Sequence, residues 1–175
     1  MQKNIQFQEL TSTLHDVYIE IGIKSYNQHY RHLWPKGNTI TYIQHSFTKK
    51  ILEEEEKDLN TVLFLIKLNT EYVGLLKVTL HKSLMDYDQN DALYLDKIYI
   101  LKEYAGNGIG GASLKFVESI AQNLSKKTIF LESMQKGPAL PFYLANNFKI
   151  VDESTVPFSN VIDEEKPMYL LKRTL

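Results

Sequence analysis

Three features of this 175-residue sequence predict a mixed α/β domain of the α+β kind. The first is the stretch 92–124, which reads as a strand, ALYLDKIYI, a loop, LKEYAGNGIGG, and a helix, ASLKFVESIAQNL. The strand is apolar on both faces at Leu93, Leu95, Ile98 and Ile100, as a strand inside a sheet should be. The helix carries Ile109, Ala112, Phe116, Val117, Ile120 and Leu124 on one stripe, and a further strand, TIFLES, follows at 128–133. Two strands joined by a crossover helix are expected to pair in parallel. The second feature is a β-hairpin over residues 61–81, turning at Asn69, Thr70 and Glu71. The third is a helix beginning near Leu10, with Leu14, Val17, Tyr18 and Ile21 at helical spacing.

The remaining elements follow in order. Residues 4–8 suit a short first strand, and Thr11, Ser12 or Thr13 can cap the helix after it. The segment KSYNQHYRHLWPKGN breaks the helical pattern, with Pro35, Gly37 and Asn38 as stop and turn signals. A second helix is expected from Thr39, with Ile40, Ile43, Phe47 and Ile51 on one face, running into the acidic run Glu53 to Glu56, read as a solvated helix face or end, with an acidic lip for a cationic substrate as the alternative. Residues 82–91 are polar and read as a loop. After Gly137 and Pro138 comes a short helix, ALPFYLANN, then strands at FKIV and MYLLKR, separated by a long connection over 152–167. The sum is six to seven strands. Length, the lack of repeats and the lack of linker composition predict a single domain over residues 1–175.

Composition narrows the function classes. Twenty Lys+Arg against 21 Asp+Glu leave a formal charge of −1, so no net field draws nucleic acid or a membrane surface, and neither is expected as a partner. With no Cys there is no disulfide, no thiolate metal site and no thiol nucleophile. The five histidines show no metal-ligand spacing, and no metal is assigned. No run of apolar residues reaches membrane-spanning length and the first ten residues lack a signal-peptide core, so a cytoplasmic location is expected.

Gly106, Gly108, Gly110 and Gly111 stand where the loop becomes the helix, and a helix start with unobstructed N–H groups suits a phosphate or pyrophosphate. Two readings compete for it. GNGIGG satisfies the dinucleotide fingerprint G-x-G-x-x-G, and Glu132 ends the next strand where a ribose-binding acid would stand. Against that, residues 101–105 intervene between strand and first glycine, and only one βαβ unit is present. The other reading is a resemblance. AGNGIG at 105–110 is similar to the R/Q-x-x-G-x-G/A loop of the GNAT N-acetyltransferases, and ALPFYLANNF resembles that family's A-x-x-F-Y-x-x-x-G-F. The order of elements agrees over nearly the whole chain. Within the family, the SYNQHY-like turn and the late DEE segment look most like the bacterial polyamine-type (spermidine/spermine) acetyltransferases. Three positions depart from the pattern: Ala105 replaces the family's Arg or Gln, Lys136 falls where an Asn is common, and Asn147 replaces the glycine of G-F. Asn is one of the few residues besides glycine that accepts positive φ.

The resemblance implies a mostly antiparallel central sheet whose parallel middle pair splays around acetyl-CoA, with about four flanking helices. It implies acetyl transfer from acetyl-CoA to a primary amine of a small molecule, polyamines among the candidates, by direct attack of the amine, with CoA as product. The competing acceptor is a peptide or protein amine, and the competing role is a non-catalytic acyl-CoA sensor. An alkylamine near pKa 10.4 is neutral at pH 7 in at most about one molecule in a thousand, so deprotonation costs roughly 4–5 kcal/mol that the site must help supply. Asp96, interrupting the apolar strand, is the candidate base or substrate-orienting anion, with a structural ion pair as its alternative. Tyr143 of the F-Y pair is the candidate acid for the departing thiolate. Ile98, Tyr99 and Ile100 would hold the pantetheine arm as an added strand. Ala105, Gly106, Asn107, Gly108, Ile109, Gly110 and Gly111 would take the pyrophosphate. Tyr26, Tyr30 and Trp34 are the expected acceptor-side wall. A homodimer is the family's expectation.

Overall fold

A computed structural model describes residues 3–175; Met1 and Gln2, at the edge of the expected domain, lie outside the described residues. Seven strands form one sheet: β1 (Ile5–Glu9), β2 (Thr61–Leu68), β3 (Glu71–Thr79), β4 (Ala92–Ile100), β5 (Thr128–Met134), β6 (Lys149–Thr155) and β7 (Pro167–Thr174), in the order β1-β2-β3-β4-β5-β7-β6. All neighbours are antiparallel except β4 and β5, which are parallel. Among the described residues five α-helices accompany them: α1 (His15–Tyr30), α2 (Ile40–Ser46), α3 (Lys49–Lys57), α4 (Ile109–Asn123) and α5 (Ala139–Ala145). The splayed mixed sheet is therefore as expected.

Side chains leave β4 alternately to two cores. Leu93 and Leu95 enter one core with Val117 and Leu114 of α4 and with Phe142 and Tyr143 of α5. Tyr99 enters the other, with Tyr18 and Tyr26 of α1, Phe47, and Leu52 of α3. The sheet is thus a middle layer with α4 and α5 on one face and α1 to α3 on the other.

Two helix expectations need correction. The first helix does not break at Lys24 but runs to Tyr30, because Tyr26 and Tyr30 stand one turn apart and continue its apolar stripe, their rings 5.0 Å apart. The stop signals at Pro35, Gly37 and Asn38 act only after that. The helix expected from Thr39 to the acidic run is two helices. Phe47 packs so closely on Gly22 of α1 that a Cβ there would lie 2.4 Å from Phe47 Cε1, and Thr48 then caps α3 by accepting from Ile51 N–H at 3.3 Å. The acidic run is only partly a solvated end, since Glu55 pairs with Lys77 and Glu56 with His15. No described helix is long and apolar enough to cross a membrane.

Candidate active site

The opening in the sheet has a local cause. β4 and β5 pair only at Ala92/Thr128, Leu93/Ile129 and Tyr94/Phe130, while β4 stays on β3 through Ile100. In the β3–β4 ladder Lys77 faces Lys97 and Val78 faces Leu95, which leaves Asp96 as an extra residue in β4. A bulge bends and twists its strand. This one lies two residues past the last β4–β5 pair, so β4 turns away from β5 and a V-shaped gap opens. Leu101 N–H donates to Val73 C=O on β3, and the Ile100 carbonyl belongs to the same trans peptide, so that carbonyl points away from β3 toward the gap. His29 Nε2 meets it at 2.8 Å.

The glycine-rich loop follows directly. Gly106 and Gly108 sit at φ 75° and 78°, and Gly108 caps α4 in the left-handed conformation that glycine adopts without cost. Apart from chain neighbours and the backbone of α4 itself, no protein atom lies within 4 Å of a Cβ placed on Gly106, Gly108 or Gly111, so the helix start is open. Among the described residues, no backbone hydrogen bond is donated by the N–H groups of Gly106, Asn107 or Gly108. With the first N–H groups of α4 they form a cluster of unpaired donors at the positive end of a helix. Asn107 fastens the turn by donating its amide to Tyr104 C=O at 2.9 Å. Ala105 adds only a methyl group. Gly110 has a different reason: Phe142 Cζ would be 3.0 Å from its Cβ, so α4 and α5 meet there at close range. The loop fits a pyrophosphate by its unpaired donors and its clear space.

Tyr143 stands on α5. The helix ends in a Schellman cap, with Asn147 N–H on Leu144 C=O at 3.2 Å and Phe148 N–H on Tyr143 C=O at 3.1 Å, and Asn147 takes φ 66° as its substitution for glycine demands. Phe148 packs edge-on against the Tyr143 ring at 5.7 Å. The half-buried Tyr143 hydroxyl makes no hydrogen bond to any described residue. Burial first, and the Tyr30 hydroxyl second, push its pKa upward. Tyr143 and Tyr30 come from helices on opposite faces of the sheet. Tyr30 is pushed up to about 12 by burial and by Tyr42, and its hydroxyl also bonds no described residue.

The other acceptor-wall residues lie elsewhere. Tyr26 is 4% exposed and Trp34 2%, with Trp34 Nε1–H donating to the Tyr26 hydroxyl at 2.9 Å and the Tyr26 ring stacked on Tyr42 at 3.8 Å. They are core residues supporting Tyr30. Tyr99 likewise turns its side chain inward and shares a 2.6 Å hydrogen bond with Tyr42, leaving its strand backbone as its contribution at the gap.

Asp96 is paired. Lys77, its side chain 13% exposed, binds Asp96 Oδ2 at 3.0 Å and Glu55 Oε1 at 2.5 Å. Burial raises the Asp96 pKa, but the charges of Lys97 and Lys77 outweigh it and hold the carboxyl below the ordinary carboxylate value. Such a group remains an anion and is a poor proton acceptor near neutrality. Glu132, across the gap on β5, is shifted the other way, raised by burial against the opposing charge of Lys82. No local signal in the sequence places His29 of α1, Lys77 of β3, Lys82 of the loop after β3 and Glu132 of β5 near one another, because each comes from a different element. The histidines are dispersed, His15 on Glu56, His45 on the Thr41 carbonyl, and His81 on Lys126.

A mixed sheet split at its parallel pair, with an open glycine-rich helix start at the mouth of the split, is the architecture of an acyltransferase fed by a coenzyme A thioester. The Acetyltransferase (GNAT) family pattern matches residues 23–148, more than half of the chain, and the chain belongs to that family. It is an acyltransferase with acetyl-CoA as donor. The fold is shared with PaiA N-acetyltransferase from Thermoplasma acidophilum in complex with coenzyme A, at 16% identity and a TM-score of 0.78 over 98% of this chain and 99% of that one. An acetyltransferase from Thermus thermophilus superposes at TM-score 0.72 and 17% identity, covering 98% and 97%. A variant of spermidine N-acetyltransferase SpeG from Vibrio cholerae superposes at 0.69 and 11% identity, covering 97% and 93%.

Proposed function

We propose that residues 1–175 form one N-acetyltransferase domain that moves the acetyl group of acetyl-CoA to a primary amine of a small molecule, with polyamines as the favoured class. The observation that carries this reading is the Tyr143 hydroxyl, on the helix packed against β5, which bonds no described residue. Acetyl-CoA supplies the electrophilic thioester carbonyl. Backbone groups of Ile98 and Ile100 line the arm of the cofactor, and the unpaired N–H groups of residues 106–111 hold its pyrophosphate. Tyr143, protonated at neutral pH because burial raises its pKa, gives its hydroxyl proton to the departing thiolate. Asp96 is assigned to orienting the ammonium of the acceptor rather than to taking its proton, since Lys77 and Lys97 keep its pKa low. That proton passes to solvent before the neutral amine attacks, and the second proton, lost by the nitrogen as the amide forms, restores the Tyr143 hydroxyl. Tyr30 supplies the ring wall on the α1 side.

Thiol release from acetyl-CoA over a panel of small amines tests the reading. Turnover with one or more amines is expected, and Tyr143→Phe should lower kcat by about 10²-fold or more while leaving CoA affinity near the wild-type value. Binding of CoA without thiol release for any amine would defeat it, and an unchanged kcat in Tyr143→Phe would remove the acid assignment alone.

A further inference from the structure

Below the point where β4 and β5 part, the sheet carries a feature that the acetyl-transfer steps do not use. Tyr94 and Phe130 are the last register pair, their rings tilted by 40° with centroids 4.9 Å apart. The Lys82 ammonium lies over them, 3.6 Å from the Tyr94 centroid and 5.9 Å from that of Phe130. Glu132 is two residues beyond Phe130 on the same face of β5. Among the described residues it accepts no hydrogen bond and makes no ion pair, and Lys82 is the one cation that opposes the rise in its pKa. Asp96, by contrast, already has Lys77 at 3.0 Å. Lys82 itself is exposed, at the start of the loop that follows β3, and has neither hydrogen bond nor ion pair from its ammonium to a described residue. Ring faces alone hold it, which is weak at an exposed site.

We propose that Tyr94, Phe130 and Glu132 form a seat for a second ammonium group of the acceptor, and that Lys82 occupies the seat until such an acceptor displaces it. The inference rests on the acetyl-transfer reading of the same cleft. Two ring faces with a carboxylate on the same face that has no partner among the described residues recognise a cation, and the chain's own Lys82 ammonium already lies over the rings. A cation that replaces Lys82 over the rings finds a carboxylate unpaired among the described residues, two positions along β5 on the same face. Ile98, where the donor arm is placed, lies four residues along β4 from Tyr94, on the order of 13 Å of strand. An acceptor that spans the two is a flexible diamine or polyamine with one amine reacting and another seated.

The test compares linear α,ω-diamines of increasing length with the matching monoalkylamines, in the wild type, Lys82→Met and Glu132→Gln. Calorimetric CoA affinity checks that each variant is folded. Long diamines are expected to have a KM about tenfold lower than monoamines of equal length in the wild type. Lys82→Met should lower the diamine KM a further ~3-fold by vacating the seat, and Glu132→Gln should raise it about tenfold, with monoamine KM nearly constant in both. Equal KM values for diamines and monoamines, or variants that move both alike, would overturn the seat while leaving acetyl transfer intact. If no amine turns over, so that the transfer reading itself fails, titration of a long diamine into the CoA-bound protein still decides. Tighter binding to Lys82→Met than to wild type supports the seat, and no difference overturns it.

Discussion

Tyr143 owes its position to a residue four places downstream. Asn147 holds the left-handed turn that lets Phe148 N–H return to the Tyr143 carbonyl, and Phe148 then braces the Tyr143 ring. A residue other than glycine pays about 1–2 kcal/mol to occupy that region, and Asn is among the least penalised. Asn147→Gly is therefore expected to keep or slightly raise the thermal midpoint, whereas Asn147→Val should lower stability by about 1–2 kcal/mol and reduce kcat more than KM, because Tyr143 loses its brace. A denaturant midpoint for Asn147→Val equal to that of the wild type would show that the cap contributes nothing. Asp96 teaches a different lesson at the same scale. Its sequence position, a lone carboxylate in an apolar strand, allowed a base or an ion pair equally; the deciding fact is Lys77, nineteen positions earlier and across a hairpin ladder. No local pattern contains that information.

Among the elements, the regular ones were legible because their periodicity is local. β4, the hairpin of β2 and β3, α4 and β5 fall where alternation and helical stripes place them. The failures were those set by contacts between elements. α1 outran its expected end because Tyr26 and Tyr30 bury against Tyr42 and Tyr99, and the split between α2 and α3 follows from Phe47 packing onto Gly22. Tyr26 and Trp34 belong to that same packing and bond one another, which leaves Tyr30 as the one member of the expected wall whose polar group bonds no described residue. The bulge at Asp96 was likewise unreadable, since a strand with an extra residue looks like any other strand until its partner is known. The glycine loop was readable as an anion site, and its departure from the family pattern is testable. Ala105 offers no donor beside an otherwise open cradle of N–H groups. Ala105→Arg should tighten CoA binding about five- to tenfold by adding a charge-assisted hydrogen bond at an exposed rim. An unaltered calorimetric Kd would mean that the position does not reach the pyrophosphate.

For the molecule as a whole, the charges lining the split couple activity to stability, because helix α3 is tied to the sheet through them. Lys77 on β3 joins Glu55 of α3 to Asp96 of β4, with most of each side chain shielded from water. Asp96 has a folded pKa below its unfolded value of about 3.9, so the folded state binds its proton less tightly than the unfolded state. Its contribution is fully present above about pH 5 and is lost as pH falls through the unfolded and then the folded value. Glu132 has the opposite sign. Its folded pKa lies above the unfolded value of about 4.3, so its contribution is present in acid and disappears as pH rises through that higher folded value. Denaturant midpoints measured between about pH 3 and pH 6 should therefore separate the two carboxylates. Asp96→Asn is expected to flatten the acid limb of the stability curve relative to wild type, and Glu132→Gln to steepen the rise of stability with pH. Superimposable acid limbs for the wild type and Asp96→Asn would mean that the bridge from Lys77 does not bind the helical layer to the sheet. The same titration bears on the chemistry, since an Asp96 that ionises early remains an anion throughout the range in which an amine acceptor must be held.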